Sequence, residues 1–125
     1  MKKLLILLFS ILISFNSYGE WIEVTSNDGS IYYIDKDSIK YHDGFIYFWE
    51  LSDYLKPNSL GHMSGIANKE VDCNLNRQQI LSLNMFKMSM GRGESENINL
   101  DSSWYYPISG SVGEGILNYA CNSIK

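Results

Sequence analysis

Two cysteines, Cys73 and Cys121, are the only ones in the 125-residue chain, so any intramolecular disulfide must join them. Whether they are oxidised depends on the compartment, and the first twenty residues speak to that. Lys2 and Lys3 precede an apolar run, Leu4 to Phe15, interrupted only by serines, and Ser17-Tyr18-Gly19 supplies small residues at a cleavage position. This is the pattern of an export signal, predicted to span residues 1–19 with cleavage after Gly19. About twelve apolar residues are too few to cross a bilayer as a helix. No cysteine follows the signal for lipid attachment, so the mature protein is expected to carry no membrane anchor. Outside the cytoplasm an even cysteine count reads as a disulfide framework. The 47 residues between the pair are far from the two of a redox C-x-x-C motif. Closing so long a loop stabilises a fold by roughly 4 kcal/mol in the chain-entropy picture.

Cys121 sits in a helix signature. Ser111 is placed as an N-cap, with Glu114 three residues later as its capping-box partner. Leu117, Ala120, Cys121 and Ile124 follow at helical spacing and form one apolar stripe. About three turns containing Gly113 and Gly115 are marginal in water, so the helix needs a surface to lie on.

The residues upstream predict that surface. Trp21 to Thr25 alternates, Asn27-Asp28-Gly29 turns the chain, and Ser30 to Ile34 returns as a second strand. Asp35 to Lys40 is a short polar turn with Ile39 inward. Asp43-Gly44 then launches Phe45 to Leu51, apolar on both faces, with Phe45, Tyr47, Trp49 and Leu51 on one side and Ile46 and Phe48 on the other. Such a strand belongs in the middle of a sheet. Ser52 to Gly61 is a loop in which Pro57 denies a ladder. Ser64 to Asn74 is extended, with Val71 and Cys73 on one side. Ile80 to Met90 fits a helix through Leu81, Met85 and Met88, but the absence of a good N-cap favours a long strand. Gly91 to Glu94 is read as a turn, Ser95 to Ser103 as a mobile loop, and Trp104 to Tyr106 as a short strand. The expected fold is therefore one α+β domain over residues 20–125. It is an antiparallel sheet of five or six strands, with the C-terminal helix packed on one face and tied there by the disulfide.

Charge and motif exclude several functions. Two of the ten basic residues leave with the signal, which moves the net charge from −4 to −6. The scattered remainder makes no phosphate-tracking stripe, so nucleic acid is not an expected partner. His42 and His62 are the only imidazoles. Both are placed in Gly-flanked loops at the surface, a poor setting for a catalytic base. No metal-ligand spacing occurs, and Gly91-Arg92-Gly93 lacks the Lys and helix of a phosphate loop. No enzyme activity, cofactor or metal is expected.

The informative excess is aromatic, with nine tyrosines and three tryptophans. Amphipathic rings of this kind are enriched where a surface meets a protein or a glycan, but they also rim small sheets. Tyr32, Tyr47, Trp49, Trp104 and Tyr105 are the candidate interaction surface.

Several short motifs occur in a telling order. Trp21 is followed by Tyr33-Ile34-Asp35 with Ser38-Ile39, then Leu51-Ser52-Asp53-Tyr54, Glu70-Val71-Asp72-Cys73 and Met90-Gly91-Arg92-Gly93, and finally Trp104, Pro107 and Ser109 ahead of Cys121. In this the chain resembles the surface-adhesin protein E family of exported proteins from Gram-negative bacteria. The resemblance implies the same sheet, helix and disulfide, and only Cys73 and Cys121 carry over residue by residue. It also implies a dimeric adhesin that binds host matrix or serum proteins. The expected function is a non-catalytic exported binding module with a protein partner and a homodimeric state. The alternative is a periplasmic, envelope-associated module with no host target.

Overall fold

The computed structural model describes residues 19–124. The predicted signal segment, apart from Gly19, lies outside the described residues.

Strands β1 (Trp21–Ser26) and β2 (Ser30–Asp35) form the first hairpin. Its turn is held by the Asn27 side chain, whose Oδ1 accepts from the amides of Gly29 and Ser30, each at 2.9 Å. A bulge between Glu23 and Thr25 breaks the alternation, so Val24 packs on the core and Thr25 lies against the helix. Asp35 then caps a single 3-10 turn, Lys36–Ser38, by accepting the Asp37 amide, and Ile39 tucks against the core. The hairpin of β3 (Lys40–His42) and β4 (Phe45–Tyr54) turns through Asp43 and Gly44. Both have positive φ, at 51° and 88°, as a tight two-residue turn requires.

Strands β5 (Ser64–Asp72), β6 (Arg77–Met88) and β7 (Arg92–Ile98) complete an antiparallel sheet ordered β1-β2-β4-β5-β6-β7, with β3 pairing the Phe45–Tyr47 end of β4 and β2 the Glu50–Tyr54 end. Seven strands stand where five or six were expected. β3 is one addition, and the short strand expected at Trp104 to Tyr106 is reduced to a single bridge between Tyr105 and Gln78. The other addition is β7, whose residues were read as a turn and a mobile loop. They pair with β6 through the backbone while their side chains face solvent. Ile80 to Met88 is strand, as preferred over helix, but Ser89–Gly91 is a separate 3-10 turn and Met90 adopts φ 59°. Leu81 is an extra residue at a bulge, since Ile80 pairs with Lys69 and Ser82 with Asn68. It is therefore turned toward solvent, and Ile80, Leu83 and Met85 share the other side.

Helix α1 (Val112–Asn122) lies across one face of the sheet. Ile116, Leu117 and Ala120 are buried against Ile34, Ile46, Phe48 and Val71, which is the hydrophobic core. Ile116 was not in the predicted stripe, and Ile124 lies past the helix end, 41% exposed. Ser111 caps as expected, its Oγ accepting from the Glu114 amide at 3.2 Å. Glu114 reaches one residue further back than a standard capping box and accepts from Gly110 at 3.0 Å. Cys73 and Cys121 are bonded, with Cα atoms 5.9 Å apart, and clip the last turn of the helix to the end of β5. Gln78, fully buried, fixes the other end by donating to the Gly113 carbonyl at 3.0 Å.

Candidate functional site

Strand register assigns the aromatics of β2 and β4 to faces. On β4, Phe45, Tyr47, Trp49 and Leu51 point away from the helix, and Ile46, Phe48 and Glu50 point toward it. The same pairing puts Tyr33 of β2, Asn68 and Glu70 of β5, and Gln79 and Ser82 of β6 on the side opposite the helix. At one end this side is covered by the Ser89–Gly91 turn, where Gly91 packs on Ile66 and Leu51. The turn is held down by Asp53, which accepts from the Met90 amide at 2.8 Å, and by Ser64, which accepts from Gly91 at 2.9 Å. At the other end Trp104 closes on Phe45, ring centroids 5.6 Å apart, with the Arg77 guanidinium 4.4 Å over the indole. Arg77 is itself held by Asp72 at 3.0 Å.

Between these ends lies a half-buried aromatic and polar surface of Tyr33, Tyr47, Trp49, Asn68 and Glu70. The Tyr47 hydroxyl donates to Glu70, which also accepts from Gln79. That bond holds Tyr47 in place and raises its pKa, since ionising the phenol would lose the donor and set two anions together. Tyr33 is also raised, by burial and then by the charges of Asp53 and Glu23. The Tyr47 phenol is thus oriented by Glu70.

The five predicted surface residues divide between the two sides of the sheet. Tyr47, Trp49 and Trp104 share the open face. Tyr32 pairs with Ser52 on the helix side, and Tyr105 meets Gln78 in an isolated bridge beside Lys69. Together Tyr32 and Tyr105 line a groove of about 380 Å³ at the start of α1. Its floor is the ion pair of Lys69 and Glu50, which sequence reading passed over. The signal for it was parity: Glu50 follows Ile46 and Phe48 at even spacing, and Lys69 precedes Val71.

Of the two histidines, His42 is exposed and 3.2 Å from Asp43 as expected. His62 contradicts the surface placement. It is 1% exposed, its amide held by Asn58 Oδ1 at 2.9 Å, and neither ring nitrogen has a hydrogen-bond partner among the described residues. The polar Asn58–Gly61 turn folds it inward instead of presenting it. Among the described residues no helix is long and apolar enough to cross a membrane.

A disulfide-clipped helix on one side of an antiparallel sheet, with Tyr47, Trp49 and Trp104 on the other, defines a small sheet-and-helix module. The family model for surface-adhesin protein E matches residues 21–122, and the chain belongs to that family. Among solved structures it is similar to crystal form II of Haemophilus influenzae protein E, with a TM-score of 0.62 at 15% identity, covering 83% of this chain and 99% of that one. The selenomethionine form of the same protein matches with a TM-score of 0.60 at 14% identity, over 85% and 95% of the two chains. No curated protein sequence matches.

Proposed function

We propose that the chain is an exported, non-catalytic adhesin-like module that engages a protein partner through the sheet face opposite the helix. The observation that carries this reading is the set of Tyr47, Trp49 and Trp104 on the side of the sheet opposite α1. Large rings held by neighbouring polar groups bury much area at small entropic cost, which is why Tyr and Trp dominate binding hot spots. Membership of the surface-adhesin protein E family supports export and adhesion, and a host matrix or serum protein is the partner class this suggests.

The test measures binding of the folded chain to immobilised matrix proteins and to serum proteins, beside the variant Ser82→Arg. Ser82 lies on the open face opposite Asn68 and outside the core, so the added side chain obstructs docking with little effect on the fold. Binding lost in that variant supports the reading. Equal binding by both proteins contradicts it. Fractionation and protease shaving of intact cells locate the protein, and a wholly periplasmic pool removes the host target.

A further inference from the structure

We infer that Asp35 and Asp37 are the seat for the α-ammonium that export processing creates on Glu20, so that removing the signal segment completes an ion cluster at the start of the sheet. Asp35 is 4% exposed, and its carboxylate accepts from the Gly19 amide at 2.9 Å and from the Asp37 amide at 3.1 Å. Asp37 converges on the same place. A Cβ built on Gly19 would stand 2.6 Å from Oδ2 of Asp37 and 2.7 Å from Oδ1 of Asp35, so the two carboxylates close on one glycine. Buried carboxylates are ordinarily matched by a cation. Among the described residues the ion pairs are those of His42, Lys69 and Arg77 with Asp43, Glu50 and Asp72, and none of these cations serves Asp35 or Asp37. Lys36, between the two aspartates in sequence, forms no such pair either. What does press on both carboxylates is Gly19, the last residue of the predicted signal.

The site presupposes export, as proposed above, with the cut after Gly19. Hydrolysis of the Gly19–Glu20 amide takes up one water, leaves a carboxylate on Gly19, and frees Glu20 with an ammonium. The same cut withdraws the Gly19 donor from Asp35. The nitrogen that gains the charge was bonded to the Gly19 carbonyl carbon, so it starts beside both aspartates. It is also held there. The Glu20 carbonyl accepts from the Lys36 amide at 3.0 Å, and the next residue, Trp21, pairs with Asp35 in the register of β1 and β2. Three N–H donors with a full charge replace one neutral donor, and hydrogen bonds between charged groups are about twice as strong as neutral ones. In the uncut chain the Glu20 nitrogen is a neutral amide, and Asp35 has only amide donors. The unprocessed chain is therefore the less stable form.

The test compares the oxidised chain beginning at Glu20 with the same chain extended by Ser17-Tyr18-Gly19. The site predicts that the Glu20 amine, followed through its 13Cα resonance, titrates above the ordinary range of about 7.7–8.0 for an α-amino group. It also predicts a melting temperature about 2–6 °C above that of the extended chain at pH 7. Asp37→Asn, an exposed position, brings the titration back toward the ordinary range. A mature chain acetylated at Glu20 keeps every side chain and melts with the extended one. An amine that titrates in the ordinary range, or equal melting of the mature, extended and acetylated chains, overturns the site. Intact mass of the protein recovered from cells separates this from the export reading. A chain that starts at Glu20 supports the site, one cut at another bond overturns the site and leaves export standing, and an uncut chain overturns both.

Discussion

The ammonium of Lys69 and the carboxylate of Glu50 meet at 2.9 Å on neighbouring strands, both more than nine-tenths removed from solvent. Removing one partner leaves the other charge buried without its counter-ion. Lys69→Met alone is expected to cost about 3–5 kcal/mol in urea unfolding, and the double replacement with Glu50→Leu to recover most of that loss. A single variant as stable as the double one contradicts the pairing.

Alkaline pH attacks the same region. Burial pushes Lys69 down, but the Glu50 charge, with Tyr105, outweighs it and holds the pKa above its ordinary 10.5. A raised lysine contributes stability that is fully present below 10.5 and lost as pH rises through the folded value. Tyr54 is raised above 10.0, first by burial and then by Tyr32 and Glu50, and Tyr33 is raised mainly by burial. A tyrosine kept neutral by the fold loses stability in the same direction. Melting temperature is therefore expected to hold near neutrality and fall above about pH 10, with a shallower fall in the Glu50→Leu, Lys69→Met variant. A flat profile to pH 12 rules this out.

Reduction tests the clip between sheet and helix. The Cys73–Cys121 bond closes a loop of 48 residues, and its loss is expected to lower stability by roughly 4 kcal/mol. Cys73→Ser with Cys121→Ser reports this by denaturant midpoint. In the native protein neither thiol is expected to be alkylated, and modification of folded, unreduced material contradicts the bond.

His62 gives a prediction of opposite sign. Its ring is buried with both nitrogens unpartnered among the described residues, while its backbone is held separately by Asn58. His62→Leu removes two desolvated polar atoms and keeps the backbone contacts, so it is expected to raise stability by about 1 kcal/mol. A loss of comparable size on thermal unfolding shows that the imidazole has a partner.

How much of this was legible in the sequence depends on where each signal resides. The hairpins at Asn27 and Asp43-Gly44 and the cap at Ser111 are local, because those residues make the turn or the cap themselves. The disulfide was readable because no other pairing exists. Strand β7 was not. An edge strand with solvent on both faces carries no alternation, and Arg92 to Ile98 is strand only because β6 lies alongside it. The bulge at Leu81 was hidden for a related reason, since an inserted residue appears only against a partner's register. Parity within β4 gave the companionship of Tyr47 and Trp49, whereas the separation of Tyr32 and Tyr105 onto the helix side required the register between strands. Glu50 and Lys69 fall on the core parity of their strands among apolar neighbours such as Ile46, Phe48, Ala67 and Val71, and reading by hydrophobicity passed over them.

The partner face is tested most directly by the double variant Tyr47→Ala with Trp49→Ala, measured for affinity against whichever matrix or serum protein the wild type binds. Folding is followed in parallel by thermal melting. If these rings anchor the contact, affinity falls at least tenfold while a cooperative transition persists. Unchanged affinity in a folded double variant places the contact elsewhere on the protein.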